Sequence, residues 1–313
     1  MERINQSTVT DVHDRKRIDQ YLAARFTYLS RSQWQKEIDA GRVHLNGNEI
    51  RDSHRRVRTG DVVSYRPENI QEPEVNREYS VLYEDEWYTV VDKPWNLPVH
   101  PAGPFLKNTL LMIMQEHRGE KLYPVHRLDR DTSGAIILAR DRDSASSLQK
   151  SFKFVKKSYL AIVRGTVPEG RFTIDMPIGN DADSLVRKKR AAWPDAPERA
   201  VTGFNRIISG GGLSLIRADL LTGRLHQIRV HCQYSGHPII GDKIYGGDES
   251  LYLEFIEKGL SPGLIMRLGF HRCALHSRFI RFYHPVLKKY IYITSPLPAD
   301  MKALVSRILF DRT

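Results

Sequence analysis

The sequence has few cysteines, no long apolar run and fewer acidic than basic residues. Its two cysteines, Cys232 and Cys273, cannot build a disulfide framework, and neither lies in a Cys/His pattern spaced for structural zinc. No uncharged apolar stretch is long enough to cross a membrane, and the first residues lack the apolar core of a secretory signal. We therefore expect a protein of a reducing, cytoplasmic compartment with no membrane segment and no metal.

Positive charge is in excess. The 313 residues include 48 Lys and Arg against 37 Asp and Glu, which gives a formal net charge of +11 and an isoelectric point of about 9.6. Such an excess attracts phosphate-bearing polymers, although many basic proteins bind no nucleic acid in particular. The length suits one large domain with a small appendage.

Two short helices and a hairpin are predicted near the start of the chain. Apolar residues recur every fourth position over residues 18–26, and a second helical pattern runs through residues 34–41. The dipeptide Asn46-Gly47 then favours a tight hairpin turn, with a later strand at residues 61–65.

This segment, best over residues 17–50 and 59–63, resembles the S4 RNA-binding module. The resemblance implies a small α/β RNA-binding domain at residues 14–75, in which a rigid platform beside a basic hairpin grips a phosphate backbone. The alternative is that its arginines form only a solvated charged face. The candidate RNA contacts are Arg31, Arg51, Arg55, Arg56 and Arg58.

A domain boundary is predicted at residues 67–76, which hold two prolines and three acidic residues without apolar periodicity. Beyond this linker, residues 77–313 alternate strand-like and helical runs, as expected for a mixed α/β domain. Their most highly charged segment, residues 125–134, leads directly into the apolar strand 135–140. Such a loop either presents a reactive side chain on a rigid support or is a turn whose polar side chains cap its own backbone groups. It contains two carboxylates, Asp129 and Asp131.

The charged segment resembles the HRLDxxTSG motif of the RluA family of pseudouridine synthases, and other blocks of that family follow or precede it in order. These blocks are residues 91–94, 97–101, 157–165, 177–179, 222–231, 241–246, 275–277 and 282–285. The family's threonine and alanine are replaced by Leu225 and Ser277, which we interpret as packing variants.

The resemblance implies an α+β pseudouridine synthase fold, with a central mixed, mostly antiparallel sheet flanked by helices and loops. It implies an enzyme that isomerises uridines of large-subunit ribosomal RNA, or of tRNA, without a cofactor. The sequence has no pattern, such as a heptad repeat, that indicates a second subunit, so a monomer is expected. Two alternatives are a catalytically silent RNA-binding assembly factor and a glycosidic hydrolase that pairs Asp129 with Asp131.

By the same resemblance, Asp129 is the nucleophile, Arg224 pairs with it, and Tyr159 stacks on the uracil and takes the C5 proton. Arg224 would begin a helix ending at Gly236. From the residues alone, Tyr159 is equally a core tyrosine on a strand face. The predicted substrate contacts are Arg127, which would brace the flipped nucleotide, with His126, Leu128, Thr132, His226 and Gln227.

Two further clusters leave alternatives open. The basic run Arg187, Lys188, Lys189 and Arg190 is either an RNA-contacting loop or a solvated charge run. The histidines do not repeat a known metal-ligand spacing, and the implied reaction needs no metal. They are His126, His226, His231 and His276.

Overall fold

A computed structural model describes residues 5–26, 29, 31–66, 72–102, 104–186 and 188–311. The chain divides into two compact units, residues 1–75 with 100–112, and residues 76–99 with 113–313. No sequence pattern indicated that residues 100–112 belong to the first unit. The first half of the predicted linker, residues 67–71, lies outside the described residues.

The helices and strands of the described residues alternate along the chain. The helices are α1 Ile18–Arg25, α2 Arg31–Asp39, α3 Leu110–Arg118, α4 Arg142–Lys150, α5 Gln227–Tyr234, α6 Ser250–Lys258, α7 Pro262–Leu268 and α8 Ala299–Phe310. The first eight strands are β1 Asn5–Thr8, β2 Val43–Leu45, β3 Asn48–Ile50, β4 Val62–Tyr65, β5 Ser80–Glu84, β6 Tyr88–Lys93, β7 Tyr123–Pro124 and β8 Ser133–Ala139. The other eight are β9 Lys156–Arg164, β10 Arg171–Asp175, β11 Ile178–Asn180, β12 Arg190–Ala192, β13 Val201–Gly210, β14 Leu213–Leu220, β15 Leu275–His284 and β16 Lys289–Thr294.

The first unit has the helices and hairpin that the sequence predicts. Its sheet has the order β1-β4-β2-β3 and is antiparallel throughout. Asn46 and Gly47 both have positive φ in the hairpin turn, and Gly41 has a φ of 74° just beyond α2. Trp34 and Ile38 of α2 are fully buried with Ile18 of α1, so the platform has its own small core.

The second unit is built on a ten-stranded mixed sheet of order β10-β13-β14-β9-β15-β8-β6-β5, with β16 beside β15 and β7 beside β8. Every pairing is antiparallel except that of β15 with β8. This confirms the predicted mixed, mostly antiparallel sheet. No helix among the described residues is both long and apolar enough to span a membrane.

The single parallel pairing fixes the strand that follows the charged segment. Ser133 and Gly134 lie opposite His276 and Ser277 of β15. Gly134 has a φ of 110°, and a Cβ there would collide with the backbone of Ser277. Only glycine therefore permits this approach of β8 to β15, which places the loop before β8 over the middle of the sheet.

Candidate active site

The loop of residues 125–132 between β7 and β8 is anchored at its start by His126. Its Nε2 accepts a hydrogen bond from the backbone N–H of Ile137, 3.0 Å away, and its ring packs on Phe152. Burial lowers the pKa of His126 to about 3, so the ring is a neutral acceptor at pH 7. The imidazole of His126 therefore holds the loop to strand β8, and its contact with substrate stays a prediction.

The far end of the loop is held by a buried amine. Lys93 is fully buried, and its Nζ donates to the carbonyl oxygens of Pro94 and Leu97 at 2.8 Å and of Arg130 at 3.2 Å. Burial lowers the pKa of Lys93 to about 7, against the opposing effect of Asp131 and Asp129. Three backbone oxygens therefore share one donor group, which ties the loop to the end of β6.

Asp129 lies at the crest of this loop and faces helix α5. Its Oδ2 accepts a hydrogen bond from Nη1 of Arg229, 2.8 Å away, while Oδ1 has no hydrogen bond to the described part of the chain. The Asp129 side chain is 20% exposed. One carboxylate oxygen is thus oriented by a cation and the other stays available to a substrate.

Arg229 is itself clamped by a second carboxylate. Its Nε and Nη2 donate to Oδ2 and Oδ1 of Asp242, at 2.6 and 2.8 Å, and Asp242 is fully buried. The guanidinium also lies over the ring of Tyr245, with 4.9 Å from Cζ to the ring centroid. The planar fork of one arginine therefore bridges two carboxylates, which fixes its orientation toward Asp129.

The charge of Asp129 is set by this network. Burial raises the pKa of Asp129, but His226, Arg229 and the exposed Arg127 lower it more, and the net shift is downward. Burial also lowers the pKa of His226, whose Nε2 is 3.9 Å from Asp129, to about 4. Since His226 is neutral at pH 7, Arg229 is the main cation that keeps the buried carboxylate ionised there.

The predicted pairing of Arg224 with Asp129 is wrong. Arg224 is exposed, and its Nε donates to the backbone oxygen of Arg199. Helix α5 begins at Gln227 rather than at Arg224, because His226 adopts left-handed backbone angles, φ 59° and ψ 14°, as its N-cap. Arg229, in the first turn of the helix, is therefore the arginine that reaches Asp129.

The second carboxylate of the loop is neutralised in another way. Asp131 accepts a 2.6 Å hydrogen bond from Nζ of Lys243 and a 3.2 Å bond from Nε of Arg130. Burial raises the pKa of Asp131, and Lys243 and Arg130 more than reverse that effect. This ion pair ties the loop to the segment after α5, so Asp131 has a structural partner and Asp129 remains the better candidate nucleophile.

Tyr159 lies in the centre of β9, opposite Ala218 of β14 and Ser277 of β15, and is 5% exposed. Burial raises its pKa, and the charge of Asp129 adds to that rise. The phenol is therefore protonated at pH 7 and close enough to Asp129 to sense its charge. The charge of Asp129 thus acts on Tyr159, and the stacking and proton-transfer role of Tyr159 stays a prediction.

Three of the predicted substrate contacts are buried parts of the scaffold. The amide of Gln227 accepts from Thr222 Oγ1 and Arg224 N and donates to Val201 O and Thr202 Oγ1, which uses its full hydrogen-bonding capacity. Leu128 and Thr132 are 6% and 2% exposed. The structure contradicts a substrate-binding role for the Gln227 side chain, whereas Arg127 is exposed beside Asp129.

The predicted basic loop is only partly available to RNA. Arg190 is 6% exposed and pairs with Glu198, and Lys189 pairs with Glu249 at 2.6 Å and with Asp181 at 3.3 Å. Carboxylates therefore already neutralise these two cations, which contradicts their assignment as RNA contacts. Lys188 is exposed, and Arg187 lies outside the described residues.

The four histidines considered as metal ligands each bind protein groups separately. His231 contacts Thr202 Oγ1 and Met176 O, and His276 contacts Ser133 Oγ. Within the described ranges no group of three or more His, Cys, Asp or Glu side chains is arranged to hold a metal ion.

Sequence reasoning missed the residues that organise the nucleophile. Each lies inside a block that carries the family resemblance, but the position within the block gave no sign of its partner. These residues are Lys93, Arg229, Asp242, Lys243 and Tyr245.

Two family models match the chain, one described as RNA pseudouridylate synthase over residues 87–234 and one as S4 domain over residues 16–63. The chain is 34% identical to "Ribosomal large subunit pseudouridine synthase D" of Pseudomonas aeruginosa, over 95% of this chain and 93% of the relative. The chain belongs to the RNA pseudouridine synthases. It is an RluA-type member of that family with an N-terminal S4 domain.

Two further similarities agree with this assignment. This pseudouridine synthase is 35% identical to the "tRNA pseudouridine(32) synthase, mitochondrial" of Saccharomyces cerevisiae, over 75% of this chain and 51% of that relative, so it spans about half the relative's length. The solved structure "Human RNA Pseudouridylate Synthase Domain Containing 4" is 26% identical, with a TM-score of 0.55, and the match covers 74% of this chain and 93% of that one.

The Asp242 carboxylate offers a test of the clamp on Arg229. Asp242→Asn places an amide N–H against guanidinium donors, so Arg229 should lose its orientation and the isomerisation rate should fall at least about tenfold. The single-turnover rate and the thermal unfolding midpoint would both be measured. Asp300→Asn is the matched control, because Asp300 makes the same two-point pair with buried Arg272.

Both variants should lose stability, but only Asp242→Asn should lose chemistry. If Asp300→Asn lowered the rate as much as Asp242→Asn at a similar loss of stability, the clamp would have a merely structural role.

Proposed function

We propose that this chain isomerises specific uridines of large-subunit ribosomal RNA to pseudouridine, with Asp129 as the nucleophile. The observation that carries this proposal is the Asp129–Arg229–Asp242 network, which keeps one recessed carboxylate ionised and leaves its Oδ1 open. A nucleophile in a recess needs such a cation, because burial alone would protonate it.

The reaction breaks the N1–C1′ bond and joins C5 to C1′. If the carboxylate of Asp129 adds to C1′, it displaces N1 of the uracil and is itself displaced when C5 bonds to C1′. If it adds to C6, the N1–C1′ bond breaks in the adduct, C5 bonds to C1′, and the carboxylate leaves C6 as the C5 proton is removed. In both routes C5 loses a proton and N1 gains one, so no electrons are exchanged and no redox partner is required. Arg229 stabilises the carboxylate each time it becomes free.

Tyr159 and Arg127 complete the proposed site. The Tyr159 ring would stack on the uracil. Its raised pKa keeps the hydroxyl protonated in the free enzyme, so it would take the C5 proton only as it releases its own proton to solvent. Arg127 is exposed next to Asp129, so its guanidinium can fill the space that a flipped nucleotide leaves in a helix.

We also propose that the S4 domain supplies phosphate contacts. Arg55, Arg56 and Arg58 are exposed on the segment between β3 and β4, whereas Arg31 is paired with Asp19 and Arg51 with Glu49. The three exposed arginines are therefore the stronger candidates of the predicted five.

Changing Arg55, Arg56 and Arg58 together to glutamine should weaken RNA binding and leave the single-turnover rate at saturation nearly unchanged. The slope of log affinity against log salt should become shallower by about two to three, since each lost phosphate contact removes about 0.9. Arg15, Arg25 and Arg66, changed together, provide a charge-matched control. An unchanged salt slope in the first triple variant would remove these arginines from the interface.

The substrate class is tested by a carbodiimide map of pseudouridine in cells lacking this protein. We expect one or a few sites to disappear from large-subunit ribosomal RNA, in agreement with the bacterial relative's name. Loss only from tRNA would favour the second candidate, which the yeast relative supports. No lost site would overturn the enzymatic proposal.

We also propose that the protein is a cytoplasmic monomer. Its mass in solution checks the oligomeric state.

A further inference from the structure

A second feature of the catalytic domain is a cluster of exposed aromatic rings remote from Asp129. Phe154, Tyr283, Tyr290 and Tyr292 are 68%, 41%, 50% and 62% exposed. We call these four residues the aromatic face. Rings of this size are normally more buried, and a contiguous exposed group of them marks an interaction surface.

The face is produced by strand alternation. In β15 and β16 the inward side chains, Ile280, Phe282, Ile291 and Ile293, are at most 8% exposed and belong to a core cluster. The intervening side chains must therefore point to the opposite side of the sheet. In the register of the two strands, Tyr283 lies opposite Tyr290, and their ring centroids are 5.3 Å apart.

Cations are interleaved with these rings. Arg281 pairs in register with Tyr292 on one side and Lys156 on the other, and its Cζ is 4.8 Å from the centroid of Tyr290. Lys153 lies 5.1 Å from the centroid of Phe154. Residues 150–157 and 278–294 each contain four Lys or Arg and no Asp or Glu, so the two segments that supply the aromatic face carry charge of one sign.

A groove opens between the rings. It has a volume of about 280 Å³ and is lined by Ser151, Phe154, Val155, Tyr283 and Tyr290. A planar ring that enters it would meet aromatic walls, with Lys153 and Arg281 at its margins.

We propose that the aromatic face binds a single-stranded segment of the substrate RNA by stacking bases on its tyrosines and pairing phosphates with its cations. Rings mixed with cations, without carboxylates, are the combination that holds single-stranded RNA. A protein interface would instead expect an apolar centre with a polar rim. The inference rests on the proposed function for its ligand, and adds a docking surface on the catalytic domain besides the nucleophile loop.

The face lies a fixed distance along the sheet from the reaction. Ser277, opposite Tyr159, and Tyr283 are on the same strand, about 20 Å apart at the usual rise per residue. In the register, Lys157 lies opposite Ile280, so Tyr159, two residues further along β9, shares the core side of the sheet and the aromatic face lies on the other side. RNA held at the tyrosines would therefore be a part of the strand that passes around the domain, and its binding would increase the affinity for RNA that extends beyond the target uridine.

The first experiment maps the contact directly. The wild-type enzyme is irradiated with a uridine dodecamer carrying 4-thiouridine, and the cross-linked tryptic peptides are identified. We expect the peptide of residues 290–302, which contains both Tyr290 and Tyr292, among the major products. Cross-links confined to other peptides would overturn the proposal, and suppression of this cross-link by a glutamate dodecamer but not by unlabelled RNA would favour an acidic protein partner instead.

The second experiment measures affinity in matched variants. Tyr290→Thr/Tyr292→Thr removes both rings and keeps β-branched side chains suited to the strand, whereas Tyr290→Phe/Tyr292→Phe keeps the rings. Affinity is measured with a fluorescein-labelled uridine dodecamer. The threonine pair should bind it about tenfold more weakly than wild type, and the phenylalanine pair should bind it with the affinity of wild type. Thermal unfolding shows whether both pairs are folded, and equal affinity in folded threonine and wild-type protein would contradict the proposal.

The outcomes separate this inference from the proposed function. If the wild-type enzyme isomerises uridine and the threonine pair binds RNA as tightly as wild type, only the proposed RNA-binding role of the aromatic face is overturned. Wild-type protein that binds RNA through the tyrosines but isomerises none would overturn only the proposed activity.

Discussion

Asp129→Asn is expected to lower the isomerisation rate at least about 10⁴-fold while changing RNA affinity little. Asparagine keeps the volume of the side chain and can still accept a hydrogen bond from Arg229, but its amide is not a competent nucleophile. The rate is measured as tritium released from RNA labelled at C5 of uridine, and affinity is measured separately with the same RNA.

Asp131→Asn is the matched control for that variant. It removes a carboxylate two residues away, yet the charge it removes is paired with Lys243 rather than facing the recess, so a smaller loss of rate and a loss of stability are expected. If Asp131→Asn were nearly inactive and Asp129→Asn stayed active, Asp131 would be the nucleophile and Asp129 the structural carboxylate.

The rate should also depend on pH in a specific direction. The pKa of Asp129 is lowered, so its ionised form is fully present at neutral pH and is lost only as the pH falls through that lowered value. The rate should therefore be insensitive to mild acidification in wild type.

Arg229→Lys is expected to have the second largest effect, a fall in rate of about 10²-fold. Lysine keeps one positive charge but cannot bridge Asp129 and Asp242 with a planar fork. The pKa of Asp129 should rise toward its usual range because a hydrogen bond and the oriented cation are lost, so the acid limb of the rate profile should move to higher pH. Single-turnover rates across the pH range measure both effects.

Arg224→Lys provides the comparison, because the Arg224 side chain is exposed and its Nε donates to the backbone oxygen of Arg199 rather than to Asp129. Its rate should stay within about twofold of wild type, as is usual for surface substitutions. A large loss in Arg224→Lys together with a nearly normal Arg229→Lys would show that substrate binding rearranges the site to the pairing that the sequence motif first indicated.

Local patterns predicted the elements that carry the site. Apolar periodicity located α1 and α2, the Asn46-Gly47 turn located the first hairpin, and the charged segment before β8 contained the candidate nucleophile. These features depend on neighbours in sequence, where propensity and turn chemistry act directly.

The partners of Asp129 could not be predicted in the same way. Arg229 is 100 residues from Asp129 in sequence, and the contact depends on where α5 begins. The left-handed backbone at His226 delays that start by three residues, which moves Arg224 off the helix and Arg229 into the first turn. A left-handed histidine has little local signal, since glycine and asparagine are the usual residues there.

The basic residues also show that local sequence does not determine which charged side chains are exposed. Arg190 and Arg58 are equivalent in sequence terms, yet one is buried against Glu198 and the other is exposed. Charge pattern alone does not indicate which cations already have carboxylate partners, because those partners come from distant strands and helices.

The most direct test of the central claim is a carbodiimide map of ribosomal and transfer RNA from cells that lack this protein and are restored with either wild type or Asp129→Asn. We expect wild type to restore each lost pseudouridine and Asp129→Asn, present at the same level, to restore none. Restoration by Asp129→Asn would contradict the assignment of Asp129 as the nucleophile.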